Sequence, residues 1–296
     1  MGLRLGTRGS ALARAQAEQV GELLGGASLV EADSDGERGD KSRFTRGVER
    51  LLLDGEADIG VHSAKDLPAR IPDELAIAGV PAREPAADAW LGPGSSLDDV
   101  PEGSTVGTSS LRRRAQLLAL RPDLELRELH GNVDTRLRKL AEEALDAVVL
   151  AAAGLRRLGR ESEISFLLES GQMTPAAGQG ALALEAVRGN DPAHAAAASI
   201  SDETALLELT AERATVAALD ASCTTPLGVH ARRDGDLLRM DAFVGLPDGS
   251  EWIRDRIDAD AAGPAAAGEE VARRLLAAGA AELLQRAEAM TEERSP

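Results

Sequence analysis

A carboxylate beside a lysine, a lone thiol, and arginines gathered near strand-to-helix turns are the parts of this chain suited to chemistry. Lys65 and Asp66 lie in His62-Ser63-Ala64-Lys65-Asp66-Leu67-Pro68, directly after Ala57 to Val61, which reads as a buried strand. A carboxylate so placed can be a fixed anion that steadies a cation forming on a substrate, or a proton acceptor. Beside a lysine it can equally be a surface ion pair worth little. Cys223, the only cysteine, sits in Ala221-Ser222-Cys223-Thr224-Thr225-Pro226-Leu227-Gly228. Small, polar and turn-forming neighbours put it on a loop, where a thiol can be a nucleophile or an attachment point. The plainer reading is a small buried hydrophobe. With no histidine near it in sequence, attachment fits better than a cysteine–histidine hydrolase.

The basic residues in question are Arg8, Arg14, Lys65, the run Arg112-Arg113-Arg114, Arg136, Arg138, Arg156 and Arg157. The planar guanidinium fork pairs with a carboxylate through two hydrogen bonds. Two loops accompany them, Gly6-Thr7-Arg8-Gly9-Ser10 and Gly107-Thr108-Ser109-Ser110, and each opens a helix. Helix N-termini offer free N–H groups and partial positive charge to an anion, and the Ser and Thr hydroxyls add donors or simply cap the helix. A ligand with several carboxylates or phosphates is the expected partner; a solvated helix face is the bland alternative.

The elements that must position these residues are strands alternating with helices. Leu3 and Leu5 begin a strand, and Ser10 caps a helix carrying Leu12, Ala15, Gln16, Gln19 and Leu23. About a hundred residues later Ser104-Thr105-Val106 leads to a helix over Leu111 to Leu120, and both helices contain Arg-Ala-Gln. The strands Ala57 to Val61 and Leu145 to Leu150 form a second matching pair, running into helices at Ser63 to Leu67 and Ala152 to Leu158. This predicts two repeated α/β domains. Gly154 is the counterpart of Asp66, so the carboxylate belongs to one domain alone, which is what a reaction centre between two similar domains would look like. From Thr204 the pattern changes: a helix to Leu219, a loop from Asp220 to Gly228, strands with turns at Asp234-Gly235 and Pro247-Asp248-Gly249, and a long helix from Ala265 to Met290. That is a smaller α+β unit on an antiparallel sheet, with Thr291 to Pro296 expected to fray.

Composition bounds the function. With 296 residues, 43% apolar and 28% charged, the chain can bury a core in two or three domains and is not a disordered tail. No run approaches a membrane span and no secretory signal is visible, so a cytoplasmic protein is expected. A net charge of −17 disfavours a nucleic-acid partner. Only three lysines, Lys41, Lys65 and Lys139, and 2% aromatics with no tyrosine fit either a high-salt cytoplasm or a generic acidic surface. One cysteine and the scattered His62, His130, His194 and His230 predict no disulfide and no metal site.

Taken in order, these motifs resemble the porphobilinogen deaminases, also called hydroxymethylbilane synthases. The resemblance covers nearly the whole chain. It includes Gly6 to Ser10, Val61 to Pro68, Val106 to Arg113, Gly131-Asn132-Val133-Asp134-Thr135-Arg136, Ala153 to Gly159, Pro175-Ala176-Ala177-Gly178-Gln179-Gly180 and Cys223. It implies two periplasmic-binding-protein-type (type II) domains around a cleft, residues 1–82 with 181–199 and residues 86–176, plus a third domain over 203–296. It implies that Cys223 holds a dipyrromethane cofactor through a thioether. Four porphobilinogens are then added head to tail with loss of ammonia, and water releases the linear tetrapyrrole from a monomeric enzyme. Asp66 is implied as the catalytic group, steadying the electron-poor azafulvene left by ammonia. Every ring brings an acetate and a propionate, which accounts for the arginines. The implied carboxylate binders are Arg8, Ser10, Lys65, Ser109, Ser110, Arg112, Arg113, Arg136 and Arg157, with Asn132, His130 and Gln179 in binding motifs. Three places depart from the family pattern: His130 stands where arginine is usual, Ala221-Ser222 replaces Gly-Gly before the thiol, and Gly36 to Arg50 is shorter than the family's mobile lid, with Lys41 and Phe44 as remnants. A non-catalytic solute receptor of the same two-lobed type, and a regulator binding nucleic acid through the Leu111 to Ala115 run, are the competing classes.

Overall fold

A computed structural model describes residues 2–33, 43–221 and 225–292. Cys223, residues 36–42 of the expected lid with Lys41 among them, and the last four residues of the chain lie outside them, as does the Phe44 side chain; the rest of the expected lid, 43–50, is helical.

The first lobe is built from β1 (Arg4–Arg8), α1 (Ala11–Leu23), β2 (Ser28–Ala32), α2 (Arg43–Leu53), β3 (Ile59–Ser63) and β4 (Leu75–Gly79). The second contains β5 (Asp88–Leu91), β6 (Thr105–Gly107), α3 (Leu111–Leu120), β7 (Glu125–Arg127), α4 (Val133–Glu142), β8 (Ala147–Ala151), α5 (Ala152–Arg157) and β9 (Phe166–Leu168). The chain then returns with β10 (Leu182–Val187) and α6 (Asp191–Ser199). The third unit comprises α7 (Glu203–Ala218), β11 (Leu227–Asp234), β12 (Leu237–Gly245), β13 (Trp252–Asp260), α8 (Pro264–Ala277) and α9 (Ala280–Glu292).

Two five-stranded sheets have matching orders, β2-β1-β3-β10-β4 and β7-β6-β8-β5-β9. In each, one strand runs against its neighbours: β10 in the first, β5 in the second. β5 lies before the second lobe's other strands in sequence, and β10 lies after them, so the chain crosses between lobes twice. This is the two-lobed periplasmic-binding-protein-type arrangement. Fully buried strands such as β8, Ala-Val-Val-Leu, occupy the sheet centres, where both faces are covered by helices. The third unit is the antiparallel sheet β11-β12-β13, with Leu238, Met240, Ala242 and Val244 turned toward α7, α8 and α9. Among the described residues no helix is long and apolar enough to cross a membrane.

Helix starts follow their caps. Ser10, Ser110, Asn132 and Asp202 each accept from the amide three residues on, which satisfies a donor the helix cannot. Two expected helices differ. The segment Ser63 to Leu67 is one 3-10 turn, Ala64–Asp66, because Pro68 pushes Leu67 into extended backbone at φ −71°, ψ 134°. The long helix Ala265 to Met290 is two helices, α8 and α9, since Gly279 takes φ +99° and turns the chain between them.

The three units meet at Glu212 on α7. Its carboxylate accepts from Arg83 (Nη1 at 2.8 Å, Nη2 at 3.1 Å), from the Gly178 amide at 2.6 Å and from the Ala231 amide at 2.8 Å. Arg83 lies in the first connection between lobes, Gly178 in the second and Ala231 in the third unit's sheet. One buried anion therefore fastens both crossings to the third unit.

Candidate active site

The C-terminal ends of β1, β3, β6 and β8 face one another across a cleft of about 990 Å³. Ligands bind beyond the carboxyl ends of strands in such sheets. Among the described residues, Arg8, Lys65, Arg113, Arg136 and Arg157 line it together with the single carboxylate Asp66. Five cations around one anion in a chain of net charge −17 is a strong local reversal.

Asp66 is fixed from below. β3 ends at Ser63, whose hydroxyl accepts from Gln16 Nε2 on α1 at 2.8 Å, and the Ala64 amide donates to Ala181 O at 3.0 Å. The turn then lifts Lys65 and Asp66 into the cleft. Arg8 Nη1 stands 3.7 Å from Asp66 Oδ2, with each side chain about one-third exposed. That contact is loose enough to leave the carboxylate facing the cleft. Burial and the nearby Arg113 push the Lys65 ammonium down to about 8, against the pull of Asp66 and Asp88.

The opposite wall carries the guanidinium groups. Arg136 donates to Gly131 O at 2.8 Å and to Ser109 Oγ at 3.2 Å. Burial, with Arg113 adding to it, pushes its pKa down to about 10. Arg157 donates to Gly180 O at 2.8 Å and to Gln19 Oε1 on α1 at 3.4 Å, so it spans the cleft base. Burial lowers its pKa as well. Cations held this way gain from an incoming anion, because the desolvation cost is already met by the fold.

Asp88, which the sequence did not single out, organises that wall. It is fully buried at the start of β5 and accepts from Arg113 Nε and Nη2 (3.0 and 2.8 Å), Arg112 Nη2 (3.1 Å) and Gln179 Nε2 (2.9 Å). The two guanidinium groups overcome its burial and hold its carboxyl below the usual range. A charged residue inside the otherwise apolar stretch Ala86 to Leu91 was the available signal.

The expected binders therefore separate by position. Arg8, Ser10, Lys65, Ser109, Arg113, His130, Asn132, Arg136 and Arg157 line the cleft beside Asp66. Arg112 and Gln179 do not; they are buried behind the wall, Arg112 on Asp88 and Thr174 O, Gln179 on Asp88 and Ala86 O. Ser110 spends its hydroxyl capping α3, as Ser10 caps α1 and Asn132 caps α4. His130 is largely exposed, its ring 3.0 Å from Glu128. Arg14 pairs with Glu31, Arg114 donates to Leu126 O, Arg138 pairs with Glu142 and Arg156 with Glu161, all away from the lining. Gly154, the counterpart of Asp66, lies on the floor with Leu12, Val133 and Leu150. Cys223 falls outside the described residues, but its flanks are placed. The Ala221 amide donates to Val216 O, and the Val229 amide donates to Pro175 O, three residues before the cleft-lining Gly178. Among the described residues no cluster of three or more His, Cys, Asp or Glu could hold a metal ion.

Family profiles and sequence relatives point to one family. The profile described as porphobilinogen deaminase, dipyrromethane cofactor binding domain, matches residues 3–195, and the porphobilinogen deaminase C-terminal domain matches residues 206–277. The porphobilinogen deaminase of Campylobacter concisus is 44% identical over 255 residues, 85% of this chain and 82% of that one. That of Thermus thermophilus is 42% identical over 293 residues, 95% of this chain and 97% of its own. That of Nitrobacter hamburgensis is 41% identical over 92% of both chains. Among solved structures, a TRAP periplasmic solute binding protein from Desulfovibrio salexigens aligns with a TM-score of 0.41 at 14% identity, covering 69% of this chain and 73% of that one.

Proposed function

Because the chain belongs to the porphobilinogen deaminase family, we propose that its cleft joins porphobilinogen units head to tail, each with loss of ammonia, into the linear tetrapyrrole hydroxymethylbilane. The observation that carries this reading is the cleft lining, five cations around Asp66. A pyrrole bearing an acetate and a propionate needs paired cations for its carboxylates and one anion for its ring. The donor set also fits dipyrromethane, whose rings bear the same two acids. Lys65, Ser109, Arg113 and Arg136 would hold it, and Cys223 would bond it. When bound, that group supplies a covalently held acceptor ring from which the product chain starts.

The residues of this chain divide the work. Arg8, Arg157 and the α1 N-terminus at Ser10 receive the incoming carboxylates. Asp66 faces the substrate's ring N–H. As the aminomethyl C–N bond breaks and ammonia leaves, positive charge spreads onto the pyrrole, and the fixed carboxylate stabilises it where it develops. Asp66 can also move the ring proton. Arg112 and Gln179 act through Asp88: they keep Arg113 extended toward the cleft. Asn132 and Ser110 fix the helix ends that present Arg136 and Arg113. His130 offers one donor at the mouth, where a carboxylate would compete with Glu128.

Water release of the product after four additions, a cytoplasmic location and a monomeric working unit complete the proposal. The test is Asp66→Asn, which keeps the shape and removes the charge. Turnover should fall by orders of magnitude in a protein whose circular dichroism and melting temperature match wild type; near-normal turnover would refute the assignment.

A further inference from the structure

The sheet face opposite α1, beneath the catalytic turn, hides a second set of ionisable groups. His62 precedes the turn by one residue on β3, and its side chain is 2% exposed. Its Nε2 lies 3.1 Å from Glu185 Oε2 on β10, and the Glu185 side chain is wholly buried. The strands are in antiparallel register, Glu185 opposite Gly60 and Ala183 opposite His62, so both side chains project from the same face. The ring lies over Gly60, where an added Cβ would stand 3.0 Å from His62 Nε2. Neither Glu185 oxygen nor His62 Nε2 has a hydrogen-bond partner in good geometry, and among the described residues His62 is the one group within ion-pair distance of Glu185.

Three other groups bear on this pair. Glu49 on α2 is buried at the same place; burial raises its carboxyl, and Glu185 adds to the rise. Arg46 on α2 acts on Glu49, and Arg213 on α7 feels the Glu185 charge while donating to Pro68 O and Ala69 O just beyond the turn. A buried carboxyl group without a polar partner is costly, so this register depends on His62 standing against Glu185.

The geometry points to His62 and Glu185 as a positioning pair for the turn that carries Lys65 and Asp66. The end of β3 is then pinned from both faces, by Ser63 on Gln16 above and by His62 on Glu185 below. Slippage or tilt at this point moves Asp66 directly, since only Ser63, Ala64 and Lys65 intervene. A misplacement of about 1 Å at a reacting group can cost about a hundredfold in rate. The pair touches neither the cleft nor a ligand, so it acts through Asp66. The inference rests on the reading that Asp66 does the chemistry.

Its test separates positioning from folding. In His62→Phe with Glu185→Leu the pair is replaced by apolar groups, a change that buried ion pairs often tolerate. The folded double variant should lose about tenfold to a hundredfold in kcat with KM within about twofold. Backbone amides 64–67 should exchange faster with solvent, while the rest of the lobe keeps its protection. His62→Gln, which keeps a donor at the Nε2 position, should recover most of kcat. Should the double variant not fold, Glu185→Met, which removes the acceptor at similar side-chain length, serves in its place, with the same expected drop in kcat and rise in exchange. Wild-type kcat in a folded variant, KM rising in step with the loss, or unchanged exchange at 64–67 would each overturn the proposal. The exchange readout does not depend on Asp66 being catalytic, so failure of that assignment remains distinguishable.

Discussion

Lys65 is the cation whose charge is closest to the physiological range. Burial and Arg113 hold it at about 8, below its ordinary 10.5. The sign follows directly. Below about pH 8 the ammonium is charged and attracts carboxylates; above it the charge is lost. KM for porphobilinogen should therefore rise as pH passes 8 in wild type and rise much less in Lys65→Arg, whose charge persists. Identical KM profiles would contradict a binding role for Lys65. Since the folded value lies below the unfolded one, the same residue costs stability where it is charged. Its contribution should become more favourable between about pH 8 and 10.5. Much of the lining was legible from residue type alone: arginines near strand-to-helix turns, a lysine–aspartate pair after a buried strand. What was not legible is which arginines turn inward. Arg112, Arg113 and Arg114 are consecutive, yet one sits behind the wall, one lines the cleft and one reaches Leu126 O on β7. Helix phase separates them, and the partners that decide it lie up to 62 residues away.

At the scale of elements, Asp88 joins β5, α3 and the second interlobe connection. Asp88→Asn would leave Arg112 and Arg113 buried with their counter-charge removed. Breaking a buried pair in this way typically costs about 3–5 kcal/mol, so denaturant unfolding should show a loss of that order. Substrate affinity should fall too, as Arg113 loses its support; a loss under about 1 kcal/mol would contradict the role given to Asp88. The repeated strand–loop–helix units could be read from sequence because each is specified locally: α3 spans Leu111–Leu120 as expected, and Ser110 caps it. Asp88 could not, because its meaning depends on groups 24, 25 and 91 residues distant. The helix expected over Ser63 to Leu67 failed for a local reason, Pro68. The break at Gly279 was also local, and its glycine was visible but outweighed by the alanine-rich pattern around it.

The whole molecule is an acidic body with a basic gap. Its −17 net charge repels itself at low salt, and the screening length falls from about 10 Å at 0.1 M to about 3 Å at 1 M. Melting temperature should rise steeply over that range, and a flat response would count against an acidic surface suited to high salt. Salt should weaken the long-range attraction of substrate more than the short contacts inside the cleft. The proposed function rests on one arrangement, a polyanion grown on Cys223 and bound by the five cations and Asp66 of the cleft. Intact mass spectrometry of the purified enzyme tests it most directly. The account predicts a protein heavier than its sequence by one dipyrromethane, gaining discrete further increments on addition of porphobilinogen, with no addition in Cys223→Ser. An active enzyme of unmodified mass, or a Cys223→Ser protein that still carries the increments, would contradict it.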